Sequence, residues 1–119
     1  MMMGGYRTAE TTGERVVAAA QFALAALVTE HPYKFAATST MKVVVLKASQ
    51  QVVQGMNYKL TLAILQENDC VGALECTVWD KFGDLTVTHW GEEVSCSEAM
   101  GMIKMKQQQD TTVEKDPET

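Results

Sequence analysis

The sequence predicts an α+β domain in which one α-helix packs on a curved antiparallel β-sheet. Two patterns predict it: an alanine-rich stretch with apolar residues at helical spacing, and four later β-rich runs joined by short polar connections. At 119 residues, with 46% hydrophobic and 21% charged residues, the chain can enclose one core but not two ordinary domains.

The helix comes first. Thr11-Thr12-Gly13-Glu14 has the spacing of a capping box, in which hydroxyl and carboxylate each satisfy an orphan backbone donor, so a helix is expected to start near Thr12. Val17, Ala20, Leu24, Leu27 and Val28 recur at intervals that place them along one face, and the six alanines between Ala18 and Ala26 favour the helical state. His31-Pro32 is expected to end it. A face so rich in alanine is narrow and can lie close against a sheet.

The four β-rich runs are Met41 to Leu46, Met56 to Leu65, Val71 to Trp79 and Leu85 to Trp90. Tyr58, Leu60, Leu62 and Ile64 alternate with polar or small residues, as a strand with one buried face requires. The connections Gln50 to Gly55, Gln66 to Cys70 and Asp80 to Asp84 are short enough for hairpins, so the strands should form a meander. Leu74, Cys76 and Val78, joined by Leu85 and Val87, should face the helix, with Thr77, Thr86 and Thr88 on the solvated face. Asp80 and Asp84 flank the last connection, where aspartate is favoured by its local hydrogen bonding.

Charge is distributed unevenly. Residues 1 to 90 hold 8 acidic and 7 basic side chains, and residues 91 to 119 hold 7 and 3, within a total of 15 and 10 and a net charge of −5. This balance is opposite to what phosphate neutralisation needs, so nucleic acid is not an expected partner. No apolar run approaches the roughly 20 residues that span a bilayer, so no membrane partner is expected either. The chain is expected to divide into a folded domain over residues 1–92 and an acidic, mostly disordered tail over 93–119. Within that tail only Met100 to Met105 is given a transient helix. The start of the sequence has no secretory signal, so a cytoplasmic location is expected. There Cys70, Cys76 and Cys96 would stay as thiols with no essential disulfide, whereas an oxidising setting would allow Cys96 to pair with Cys76 or Cys70.

Few residues offer chemistry. The two histidines, His31 and His89, come with no Cys-x-x-Cys or His-x-x-x-His spacing, so no metal, cofactor or catalytic residue is assigned. Cys76 alternates with Leu74 and Val78 and reads as a small core residue. By contrast, Gln51-Val52-Val53-Gln54-Gly55 puts two valines at a hairpin crest, where Asn, Asp or Ser would better serve solubility. Gly55 would supply a positive φ for the turn.

That segment resembles the Gln-x-Val-x-Gly motif of the cystatin superfamily, reversible protein inhibitors of papain-like cysteine proteases. Other features in order are similar too. Gly4-Gly5 resembles the family's N-terminal glycine, Ala20-Gln21-Phe22-Ala23-Leu24 its plant-type helix signature, Tyr58-Lys59-Leu60-Thr61-Leu62 its strand after the motif, and Val78-Trp79-Asp80-Lys81 the plant Val-Trp-x-Lys. The resemblance runs from Gly4 to about Trp90. It implies a cystatin-like fold, one helix on a sheet of four to five strands, and a wedge made of Gly4-Gly5, Gln51 to Gly55 and Lys81-Phe82-Gly83. It implies that Val52 and Val53 approach the protease's catalytic cysteine, that Gln51 and Gln54 give hydrogen bonds or turn support, and that Phe82 covers the leaving-group side. Met1 to Met3 would enter the substrate-side pockets, with Gly4 or Gly5 as pivot.

The sequence departs from the family where Phe82-Gly83 replaces Pro-Trp. A buried interfacial Trp is worth about 2 to 4 kcal/mol, so its loss would weaken binding roughly 30- to 700-fold. A second registration makes His89-Trp90 the Pro-Trp counterpart but leaves Gly91 to Glu98 as a poor final strand. The alternative function is a cystatin-like protein-binding module that has lost inhibition, and a third idea is a small enzyme using Cys76 or the aspartates. A monomer is expected, with a domain-swapped dimer, exchanged through an opened Gln51–Gly55 hinge, as the alternative state.

Overall fold

The structure, a computed structural model, describes the backbone of residues 5–30 and 41–115, with side chains through Lys106. Strand β1 (Arg7–Thr8) precedes helix α1 (Glu14–Glu30), followed by β2 (Met41–Val53), β3 (Gly55–Gln66), β4 (Asp69–Lys81), β5 (Asp84–Glu93) and helix α2 (Cys96–Lys115). The five strands form one antiparallel sheet in the order β1-β2-β3-β4-β5. The meander and the helix before it are as the sequence predicts, with β1 as the fifth strand.

The helix begins one residue after Gly13, whose carbonyl accepts the Val17 N–H at 2.9 Å. Its buried face is rotated from the expected one. Val16, Ala19, Ala20, Ala23 and Leu27 are buried, while Val17, Leu24 and Val28 sit at its margins. Alanines at the centre let the helix backbone approach the sheet, where Tyr58, Leu60, Leu62, Ile64, Leu74, Cys76 and Val78 complete the core. The ending at His31-Pro32 lies outside the described residues.

The hairpins are tighter than the sequence suggested, because the strands run on through their apolar ends. Val53 pairs with Gly55 across Gln54 alone, so Val52 and Val53 belong to β2. Glu67 and Asn68, with φ of 53° and 73°, close the β3–β4 turn between the paired Gln66 and Asp69. Positive φ at both central residues is what a two-residue turn needs to match strand twist. His89 and Trp90 lie inside β5, opposite Thr77 and Cys76, so the registration that made them a loop is corrected.

The C-terminal segment differs most from expectation. Residues 96–115 form a helix instead of a mostly disordered tail. Ser95 caps it, its Oγ accepting the Glu98 N–H at 3.1 Å, in the Ser-x-x-Glu arrangement. Ala99, Met102 and Ile103 then pack on the face of the sheet opposite α1, against Leu46, Ala63, Leu65 and Ala73. This second core repays the ordering that the segment could not repay alone. A bulge in β2 serves both cores: Val45 pairs with Leu62 and Lys47 with Thr61, leaving Leu46 as the extra residue. Val43 and Val45 alternate with Val44 and Leu46 between the α1 and α2 cores, and the bulge then brings Ala48, three residues after Val45, onto the α1 side.

The expectation of three free thiols is also corrected. Cys70 and Cys96 are bonded, with Cα atoms 5.7 Å apart, and Cys76 is free and buried. The register explains the pairing: Glu93, the end of β5, lies opposite Leu74 near the start of β4, and the short step through Val94 brings Cys96 back beside Cys70.

Candidate functional site

The residues singled out in the sequence gather at one end of the sheet, around two hairpin tips. At the first tip Gly55 has φ of 91°, and a Cβ there would meet the Asp80 carbonyl oxygen and lie 2.9 Å from Lys81 Cα. Glycine is therefore required twice over, for the bend and for the close approach of the first hairpin to β4. Trp79 on β4 donates its indole N–H to the Gln54 carbonyl at 2.9 Å, and the Lys81 ammonium lies 5.5 Å from the indole centroid. Gln51 pairs with Asn57 in the ladder, and its Oε1 receives a long contact from Asn57 Nδ2 at 3.5 Å.

The second tip is the two-residue turn Phe82-Gly83, between the paired Lys81 and Asp84. Both residues have positive φ, 53° and 104°. Glycine adopts this readily. Phenylalanine does not: left-handed backbone costs a residue with a Cβ about 1–2 kcal/mol. Asp80 supports the turn by accepting the Gly83 N–H at 2.8 Å on Oδ1, while Oδ2 lies 3.6 Å from the Arg15 guanidinium on α1. Asp80 is only 7% exposed. Its expected role as a turn former holds, and its link to α1 is additional. Burial, then the Asp80 carboxylate, push the Tyr58 hydroxyl pKa up, partly offset by Arg15.

The N-terminal segment reaches the same end. Arg7 pairs with Gln50 and Thr8 with Ser49, so the antiparallel chain runs from Arg7 back through Tyr6 and Gly5 in the direction of Val52. Lys59 Nζ lies 5.6 Å from the Tyr6 ring centroid. Gly5 is exposed, and Gly4 with Met1–Met3 lies outside the described residues. Val52, Val53, Gly55, Met56 and Phe82 line one shallow notch of about 310 Å³. Two of its apolar side chains are displayed to solvent: Val52 is 63% exposed and Phe82 77%.

The Cys76 thiol, 1% exposed in the α1 core, has its pKa pushed up to about 12 by burial, which keeps it protonated. A larger cavity, about 470 Å³, lies at the other end of the sheet between Leu27, Leu74 and Trp90, and neither Cys76, Asp80 nor Asp84 lines it.

A cystatin-domain family model matches residues 4–83, about two thirds of the chain. The chain belongs to the cystatin family. Members of that family are inhibitors of proteases and not enzymes, and the cystatin match takes in the N-terminal segment and both hairpin tips. It stops at Gly83, so all of β5 and all of α2 lie beyond it. A search of curated proteins finds no match.

The tie from Trp79 to Gln54 and the link of Asp80 to Arg15 had no counterpart among the sequence expectations. Their roles come from cross-strand register and from packing across the helix–sheet boundary. The only local signal was the aspartate beside the turn.

Proposed function

We propose that this protein is a reversible, tight-binding inhibitor of papain-like cysteine proteases. In this reading the N-terminal segment, Gln51 to Gly55 and Lys81 to Gly83 enter the active-site cleft as a preformed wedge. The observation that carries it is Phe82: a large apolar side chain, 77% exposed, held at a turn position whose backbone disfavours it. Strain of this kind persists where a site uses the displayed group, and Phe82 stands beside Val52 and Val53 in one notch.

Such an edge inhibits by occlusion. The cleft of a papain-like enzyme holds a thiolate and an imidazolium, and an apolar edge without a correctly presented scissile carbonyl excludes substrate and water from both. Val52, Val53 and Phe82 supply the apolar contact, Trp79 and Asp80 hold the two tips in fixed relation, and Gly4 or Gly5 lets the preceding residues turn into the substrate-side pockets. Little conformational entropy is lost on docking, because the tips are already tied to the sheet. The monomer is the active form, since exchange through an opened first hairpin would dismantle the edge.

Among the described residues no helix is long and apolar enough to cross a membrane. Disulfides persist in oxidising compartments, so the Cys70–Cys96 bond removes the thiol argument for a cytoplasmic location and favours action outside the cytosol.

Titration of a papain-like protease with the full chain tests the reading. Loss of activity in proportion to added protein, reaching completion near one equivalent, is the expected result. Full activity at micromolar protein would reject inhibition and leave a binding module on the cystatin scaffold.

A further inference from the structure

Helix α2, which the cystatin match does not cover, is fastened at two places. At its start Cys96 is bonded to Cys70 at the beginning of β4. Along its inner face Ala99, Met102 and Ile103 follow at helical spacing, and Lys106 comes next on that face. The Lys106 ammonium donates to Thr11 Oγ1 at 2.7 Å and to the Val45 carbonyl at 3.1 Å, in a partly buried setting. The two acceptors belong to different parts of the chain. Val45 sits at the bulge of β2, whereas Thr11 lies in the connection from β1 to α1.

Strand β1 is otherwise weakly held. It has two residues, both exposed, paired at Arg7 with Gln50 and at Thr8 with Ser49, and extended by one bond from the Ala9 N–H to the Ala48 carbonyl at 2.9 Å. Edge pairing this short opens readily. A cationic donor that grips the connection three residues downstream, and the neighbouring strand at the same time, limits that opening.

We infer that Lys106 is a positioning residue: α2 is a strut that fixes the N-terminal segment on the sheet edge, and so sets where Gly5 and Tyr6 stand relative to the first hairpin. Its effect on inhibition rests on the wedge reading above. Its effect on the segment does not.

Amide hydrogen exchange on the full-length protein separates the two. Lys106→Met keeps much of the side-chain bulk and removes the donors. The expected result is exchange at the Ala9 amide about tenfold or more faster, the range set by loss of a charged hydrogen bond, with Cys76 and Val78 in β4 unchanged. Thr11→Val, which removes one acceptor, should accelerate Ala9 less, and adding it to Lys106→Met should have little further effect. Unchanged exchange at Ala9 in both variants, or equal acceleration at Val78, would overturn the inference.

Binding to a papain-like protease whose catalytic cysteine has been alkylated gives the second readout, and Lys106→Met should weaken it several-fold. If Ala9 exchange rises and even the unsubstituted protein fails to bind, the strut stands and the inhibitor reading falls. If Ala9 exchange rises and binding stays equally tight, the strut does not set the edge and the inference is overturned.

Discussion

The indole N–H of Trp79 reaches the carbonyl oxygen of Gln54 at 2.9 Å, joining two residues 25 positions apart. This bond ties the tip of the first hairpin to β4, two residues before β4 ends at the second. With Gly55 flush against Asp80 and Lys81, it makes one rigid edge from two separate turns. Several outcomes depend on that edge.

Phe82→Asn separates stability from function. Asparagine tolerates the left-handed turn position better than phenylalanine, and the exposed ring contributes little packing, so the variant should unfold about 1 kcal/mol higher. Inhibition should weaken at least about tenfold as an apolar anchor is lost. Denaturant melts and inhibition constants on the same preparation check both; a variant that is more stable and equally potent would remove Phe82 from the contact.

Val53→Asp places a carboxylate in the notch shared with Phe82. A charge entering a desolvated contact should weaken inhibition by at least about 2 kcal/mol, some 30-fold. Circular dichroism identical to the parent would show that the loss belongs to the interface.

Gly55→Ala is expected to harm the fold as well as the edge. Its positive φ and the collision with the Asp80 carbonyl force the hairpin away from β4. A loss of about 2 kcal/mol or more in unfolding free energy follows, and a change in Trp79 fluorescence should report the broken Gln54 bond.

Cys96→Ser removes the cross-link that closes a separation of 26 residues. Stability should fall by about 2–4 kcal/mol. Exchange at Met102 and Ile103 should rise well before that of β3, because α2 loses its fixed start while the α1 core is untouched.

The buried Cys76 thiol gives a pH dependence of defined sign. Its folded pKa is raised from 9.0 to about 12, so below pH 9 both states hold the proton and stability does not change on its account. Between pH 9 and about 12 the unfolded chain ionises while the folded one does not, and stability falls as pH rises. Tyr58, also raised by burial, adds to the fall in the same direction. Denaturant midpoints at pH 7, 9 and 10.5 test this; a rising midpoint would contradict the burial of both groups.

Much of this architecture can be read from single residues. The alternation of Tyr58, Leu60, Leu62 and Ile64 and the alanines of α1 carry the meander and its helix, because period and propensity are local properties. The loop motifs at Gln51 to Gly55 and Lys81 to Gly83 are legible for the same reason. Helix α2 carried local signals as well, the Ser95-x-x-Glu98 cap and the spacing of Ala99, Met102 and Ile103. Its polar continuation through Gln107-Gln108-Gln109 masked them, and its apolar face is too small to predict a partner. That partner, Leu46 with Ala63, Leu65 and Ala73, is assembled from three strands and shows only once their register is known. The Trp79–Gln54 and Arg15–Asp80 contacts depend on register across elements, which no local pattern encodes.

In the proposed complex three segments at one end of the sheet fill the protease cleft. Amide exchange of the protein alone and bound to a papain-like protease with its catalytic cysteine alkylated tests this most directly. Slowed exchange at Gly5 to Thr8, Val52 to Gly55 and Lys81 to Asp84, with α2 unaffected, is the predicted footprint. Protection confined to α2, or to the Leu27 and Trp90 end, would contradict it.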